Sequence, residues 1–363
     1  MRFIVLDIMR FSAALSVVFY HYTAGHASDP FLVVSEITKF GYLGVPLFFM
    51  ISGFVISASA LNRTPAEFAI SRATRLYPTV FVCLTITTLV IQTFASGQPE
   101  ISLIQYLTNL TILNTYAGYE YIDGVYWTLL AELKFYFCVF LLLAVGLFKK
   151  FKIWLSLWMI MTITFLVFDQ PFFMGWFISP EYSAFFIAGV TFFLVTKNGY
   201  NNYYSGLLIA SFIVGSIRAY QQVCGFMENA NQNDHIISLV MVWSFFFLFF
   251  MISLNKIQVK PRKIVLLLGG MTYPLYLLHS RAGHIVFDGL ARNTDPYIAL
   301  ILTILLMLLL AYQVHIYIEK RLANSTKNYL FDTLNGIREN SGIINRIHSV
   351  FNITKKQDRS HDI

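Results

Sequence analysis

Charge is scarce in this chain. Asp, Glu, Lys and Arg together make up 12% of its 363 residues, where a soluble domain carries roughly a quarter. A water-exposed globule is thereby excluded. Cysteine is sparse too: Cys83, Cys138 and Cys224 form neither an even disulfide framework nor a ligand spacing, so disulfide scaffolds and zinc sites drop out and no metal is expected. There is no internal repeat, low-complexity run or second globular domain. The net charge of +7 is not gathered into a basic stripe with interleaved aromatics, which excludes nucleic acid as a partner. Apolar residues are what the chain has in excess: 57% of the total, with 35 Phe, 21 Tyr and a mean hydropathy of +0.63. A single water-exposed domain cannot bury so much apolar surface, and the lipid bilayer is its solvent.

Runs approaching the roughly 20 apolar residues that cross hydrocarbon occur about ten times, at 4–24, 40–61, 78–95, 126–148, 153–168, 180–195, 203–220, 236–254, 264–287 and 296–318. The predicted fold is an all-α integral membrane protein of about ten transmembrane helices. Lys and Arg collect in cytoplasmic loops. With the N-terminus inside, the inner segments hold Arg2, Arg63, Arg72, Arg75, Lys149, Lys150, Lys152, Lys197, Lys256, Lys260, Arg262, Lys263 and the basic tail. The outer segments hold Lys39, Arg218, Arg281 and Arg292, a ratio of about five to one. Both termini are therefore expected in the cytoplasm, facing away from outer loops rich in Asp and Glu. Asp7 and Arg10 inside the first run argue against a cleaved signal peptide, although Gly25-His26-Ala27 offers a small-x-small site. Ile101, Ile104, Leu107 and Leu110 are spaced for a short helix on the outer interface. Residues 1–321 read as one membrane domain and 322–363 as a polar cytoplasmic tail, weakly amphipathic around 330–351.

Charges inside hydrocarbon cost several kcal/mol and persist where they pair or line a wet cavity. Here they fall into two predicted layers. The inner layer holds Asp7 and Arg10 in the first run, with Arg72 and Arg75 just before the third. Two guanidiniums three residues apart share a helical face and suit bidentate phosphate binding, although both also read as ordinary positive-inside residues. The outer layer holds His21, roughly 16 Å above Arg10 on one helix, together with Glu132 and His279, which counting along their helices brings to a similar depth. A histidine near a carboxylate in a partly dry site is a general acid/base arrangement, and a hydrogen-bonded bundle residue is the competing reading for each. Lys134 is expected to snorkel or pair, and Glu319 to bridge Lys320 or Arg321. His284 and His315 have no obvious partners in the sequence.

Five stretches carry a family resemblance. They are Leu6-Asp7-Ile8-Met9-Arg10 running on to His21; Gly44 to Phe54, GVPLFFMISGF; Arg72-Ala73-Thr74-Arg75-Leu76-Tyr77-Pro78; Trp127 to Glu132, WTLLAE, then Phe135-Tyr136; and Tyr273 to His279, YPLYLLH. In this order, from residue 3 to about 321, the chain resembles the acyltransferase-3 family of integral-membrane enzymes, which O-acylate surface and exported bacterial carbohydrates. The resemblance implies a ten-helix fold and makes Arg10 and His21 an Arg-x10-His signature with His21 catalytic. It links Arg72 and Arg75 to the acyl-CoA donor and puts Glu132 at the acidic position of the fourth-span motif. The sequence departs from the pattern at Ile8, where many members have Gly, and after Glu319, where a Pro often follows. Many members carry a further hydrolase-like domain, and none is expected here.

The expected protein is thus a stand-alone O-acetyltransferase of the bacterial inner membrane, acting on O-antigen, capsule or exopolysaccharide, as polymer or lipid-linked unit. It holds no permanent cofactor and takes acetyl-CoA as donor. Arg10, Arg72 and Arg75 would hold the donor's phosphates. His21, oriented or polarised by Glu132, would deprotonate the acceptor hydroxyl or carry the acyl group itself. Trp127 and His279 are candidate acceptor contacts, with Trp127 also readable as an interfacial anchor. The rival class is a secondary transporter or glycan flippase, which also buries charge near its centre. A purely structural or sensing membrane protein is a third.

Overall fold

The computed structural model describes residues 3–24, 30–95, 99–170, 173–227, 230–323 and 325–334. Among these residues every regular element is helical, as lipid requires of a segment that must satisfy its own backbone groups. Gly25-His26-Ala27 and residues 335–363, which contain most of the amphipathic stretch expected in the tail, lie outside the described residues.

The chain runs through α1 (Ile4–Thr23), the short α2 (Leu32–Thr38), a 3-10 segment (Lys39–Leu43), α3 (Gly44–Ala60), α4 (Pro65–Phe94), α5 (Leu103–Leu110), α6 (Trp127–Ala144), α7 (Phe151–Phe168), the one-turn α8 (Met174–Phe177), α9 (Pro180–Asn198), α10 (Asn202–Phe226), α11 (Gln232–Ser253), α12 (Lys263–Leu278), α13 (Arg281–Ala291) and α14 (Pro296–Val314), which continues as a π-helical segment, His315–Ala323. Polar residues start these helices. Thr64 and Glu67 form a capping box before α4, Asn201 caps α10, Asn231 and Asp234 form a second box at α11, and Asp295 caps α14. Eight helical segments are long and apolar enough to cross a bilayer. With α9, whose residues 182–195 are all buried, and the shorter apolar α12, they make up the ten of the sequence reading. On α7, Ile153, Leu157, Ile160, Ile163 and Val167 are all exposed, an outward apolar stripe at helical spacing that suits lipid. The predicted interfacial helix is present as α5, with Leu103, Ile104 and Leu107 exposed.

Two boundaries differ from the sequence reading. The third run was expected to start at Pro78, but the capping box at Thr64 starts the helix earlier and Pro78 is held inside it, so Arg72 and Arg75 stand on one continuous α4. The ninth run, expected over 264–287, is broken. Its chain leaves α12 at Leu278 and starts α13 at Arg281, because the buried Asp123 carboxylate accepts the Arg281 backbone N–H at 2.8 Å and supplies a new helix start.

Glycines set the closest approaches. A Cβ on Gly53 would lie 2.3 Å from the Phe186 carbonyl oxygen, and one on Gly189 would lie 2.0 Å from that of Met50, so α3 and α9 touch backbone to backbone. Next to each other on α12, Gly269 faces the Asp7 side chain of α1 and Gly270 faces the His315 ring. The start of α1, the end of α3, the start of α4, the end of α9 and the start of α12 converge around one basic cavity. The opposite ends gather Asp123, the turn between α12 and α13, and the ion pair of Lys39 with Asp234 at 2.8 Å.

Candidate functional site

The basic cavity, about 1360 Å³, is lined by Arg10, Arg63, Arg72, Arg75, Lys197, Lys263, Lys320 and Lys327, with Asp7 and Glu319 as its acidic residues. It exceeds the roughly 300–1,000 Å³ of an ordinary small-molecule pocket. Asp7 Oδ1 accepts from Arg10 Nη1 at 3.4 Å, one turn along α1, as the spacing predicts. On α4, Arg72 donates to Ser59 Oγ at 3.3 Å and to Ser71 Oγ at 3.2 Å. Its guanidinium carbon stands 5.9 Å from both the Phe68 and Tyr136 rings, and its buried Nε has no partner. The structure thus brings Arg10 of α1 together with Arg72 and Arg75 of α4, as expected.

A smaller space of about 100 Å³ shares Arg10, Arg72, Arg75 and Tyr273 with this cavity and is also walled by Glu132, Tyr136, Thr128 and Tyr276. Here the two-layer reading is corrected. Glu132 shares its cavity wall with Arg10, Arg72 and Arg75, and its Oε1 accepts from Ser52 Oγ at 2.5 Å. Among the described residues it is in neither ring nor hydrogen-bond contact with His21. The reason is side-chain direction: counting residues gives depth, but Glu132 projects from α6 toward α3 and the arginines. The Tyr273 hydroxyl, which lines both spaces, is buried without a hydrogen-bond partner.

His21 ends up among rings instead. The His279 ring centroid lies 5.1 Å from that of His21, His284 lies at 6.1 Å and Tyr20 at 5.2 Å. Two cross-links hold this cluster. Tyr22 OH, buried on α1, donates to the His279 carbonyl oxygen at 2.5 Å. His284 Nε2 lies 2.9 Å from the His21 carbonyl oxygen, with its Nδ1 2.7 Å from that of Ser280. Both ring nitrogens of His284 thus face backbone carbonyl oxygens, one on α1 and one at the start of its own helix. Each link serves a carbonyl that a helix end leaves without an intrahelical partner. Gly283 makes the room, since a Cβ there would meet the Tyr22 hydroxyl. His279 is fully buried, with no surface open to an acceptor. Among the described residues, no group of three or more His, Cys, Asp or Glu could hold a metal ion.

Other sequence candidates resolve simply. Trp127 packs against Tyr182 and Phe49, with ring centroids 5.1 and 6.1 Å away. Lys134 donates to the Gly175 carbonyl oxygen at 2.7 Å. Glu319 accepts from His315 Nδ1 at 2.6 Å and from Thr79 at 3.3 Å, in place of the expected bridge to Lys320 or Arg321, because the i,i+4 spacing and the π-helical turn bring His315 to it. That spacing was a readable signal. His284 and Asp123 carried none, since their roles depend on the break after α12.

Fold and site together define a multi-pass helical membrane protein whose bundle encloses a cationic cavity, with a separate cluster of His21, His279 and His284. The chain belongs to the acyltransferase-3 family, whose profile, described as an acyltransferase domain, matches residues 3–315. It is also similar to Nodulation protein 10 of Rhizobium leguminosarum bv. viciae, 28% identical over 162 residues that make up 38% of this chain and 44% of that protein. The match therefore spans less than half of that relative's length. No solved structure matches the chain.

Proposed function

We propose that the protein is a transmembrane O-acyltransferase of the bacterial cytoplasmic membrane. It moves an acyl group, acetyl in the first instance, from cytoplasmic acyl-CoA to a hydroxyl of a surface or exported carbohydrate. The observation that carries this reading is a large basic cavity that shares Arg10, Arg72 and Arg75 with a smaller space lined by Glu132, Thr128 and Tyr276. A polyanionic head with a thin uncharged arm fits such a shape. The arginines hold the phosphates, bidentately where both nitrogens reach. The arm enters the smaller space past Glu132, whose carboxylate accepts hydrogen bonds from the arm's amides. A space of about 100 Å³ suits a short acyl group.

In the transfer step, His21 takes the proton of the acceptor hydroxyl as its oxygen bonds to the thioester carbonyl carbon. The carbon–sulfur bond then breaks, and the leaving thiolate takes a proton from the His21 imidazolium to give free CoA. An acyl-histidine intermediate uses the same residues in two steps. The acyl group crosses the membrane and the CoA does not.

The test is release of free CoA, and labelling of glycan, by the purified protein in liposomes given labelled acetyl-CoA and extracted cell-surface glycan. His21→Ala is expected to lower kcat by about 10²- to 10⁴-fold, the usual contribution of a general base. Arg72→Ala is expected to raise the KM for acetyl-CoA about 10-fold or more, the loss of a charge-assisted hydrogen bond. Folded protein that releases no CoA with any donor, yet moves intact glycan across the vesicle membrane, is a transporter or flippase instead.

A further inference from the structure

A neutral histidine acts as a base through the lone pair of one ring nitrogen while the other carries the proton. In known base assemblies a third group accepts that second N–H and fixes tautomer and orientation. Glu132 is committed to Ser52 and the arginine cavity, so the third group lies elsewhere. Of the rings around His21, Tyr20 has its hydroxyl donating to the Phe226 carbonyl oxygen at 2.8 Å, and His284 has both nitrogens engaged with carbonyl oxygens.

His279 differs from both. Its Nδ1 faces the Tyr276 carbonyl oxygen at 2.8 Å, which places the proton on Nδ1 and leaves Nε2 with its lone pair. That Nε2 is buried without a hydrogen-bond partner, in a ring 0% exposed and 5.1 Å, centroid to centroid, from His21. A buried acceptor left unmatched costs free energy unless something else uses it. We infer that His279 Nε2 accepts a ring N–H of His21, which makes His279 the positioning residue of the proposed base. The order is then Tyr276 carbonyl, His279, His21, acceptor hydroxyl, with His21 keeping its other nitrogen free for the substrate proton. Tyr22 OH on the His279 carbonyl and Tyr126 OH on that of Leu277, at 3.3 Å, hold the last turn of α12 in place for this.

The inference rests on the reading of His21 as the base, so the test separates the two. Purified protein in liposomes is assayed with labelled acetyl-CoA and extracted glycan as wild type, His21→Ala, His279→Met and His279→Gln, with folding followed by thermal unfolding in detergent. Met fills the ring's volume without a comparable acceptor. His279→Met is expected to lower kcat about 100-fold, the scale of a misplaced catalytic group, with the KM for acetyl-CoA unchanged. Gln, whose side-chain oxygen reaches the Nε2 position, is expected to restore most of that loss. Wild-type kcat in His279→Met beside an inactive His21→Ala overturns the inference and leaves the base assignment standing. An active His21→Ala overturns both. If the Met variant does not fold, Gln and Asn carry the test: Asn reaches only the Nδ1 position, and equal kcat for the two overturns the inference.

Discussion

Asp123 shows how one residue distant in sequence shapes the surroundings of the histidine cluster. Its fully buried carboxylate accepts the backbone N–H groups of Arg281 at 2.8 Å and Val125 at 3.2 Å, and so starts α13 where His284 can reach the end of α1. Burial pushes this carboxyl above its ordinary value, against the pull of those hydrogen bonds and of Ser280. A folded-state pKa above the unfolded one means that the folded protein binds the proton more tightly. The associated stability is present below the unfolded carboxylate range and lost as pH rises through the raised value. The melting temperature of the wild type relative to Asp123→Asn is therefore expected to fall as pH rises from about 4 to about 7. Thermal unfolding in detergent at stepped pH measures it. A flat or opposite difference would show that the hydrogen bonds outweigh the burial. At this scale the sequence was legible for Arg10, whose depth in an apolar run called for a partner, and for the shared helical face of Arg72 and Arg75, although these two also read as ordinary positive-inside residues. It was not legible for Glu132, since depth along a helix says nothing of which neighbour a side chain meets.

Among elements, the contact of α3 with α9 and the glycine pair of α12 decide where the polar groups stand. Gly53 and Gly189 bring two backbones together, and the adjacent Ser52 holds Glu132. Gly189→Ala forces a Cβ against the Met50 carbonyl and is expected to cost about 1–3 kcal/mol, the usual range for overpacking. Gly206→Ala on α10, where a Cβ meets nothing within 4 Å, is expected to stabilise by about 0.5–1 kcal/mol. Denaturation of the two variants in the same detergent compares them, and equal effects would mean that the α3–α9 approach is soft. The ten runs were readable from apolar length, and α5 from its spacing. The break between α12 and α13 was not, because the carboxylate that makes it comes from residue 123, far away in sequence, and no pattern within 264–287 announces it.

For the whole molecule, the separation of charge predicts which way the cavity faces. Arg63, Lys197, Lys263, Lys320 and Lys327 all line the basic cavity, while Asp123, Asp234 and Glu36 lie at or near the other helix ends. Basic loops stay on the cytoplasmic side during insertion, so the cavity is expected to open where acyl-CoA is made. Lys150, between α6 and α7, then lies inside, and Arg292, after α13, lies outside. In a protein with Cys83, Cys138 and Cys224 replaced by Ser, a single cysteine at either position reports the side. A membrane-impermeant maleimide added to intact spheroplasts is expected to label Arg292→Cys at once and Lys150→Cys only after permeabilisation. The reverse pattern would point the cavity outward, away from any acyl-CoA. That result would remove the donor from the proposed reaction even if every residue contact described above were correct, because the arginines would then face a compartment that supplies no thioester.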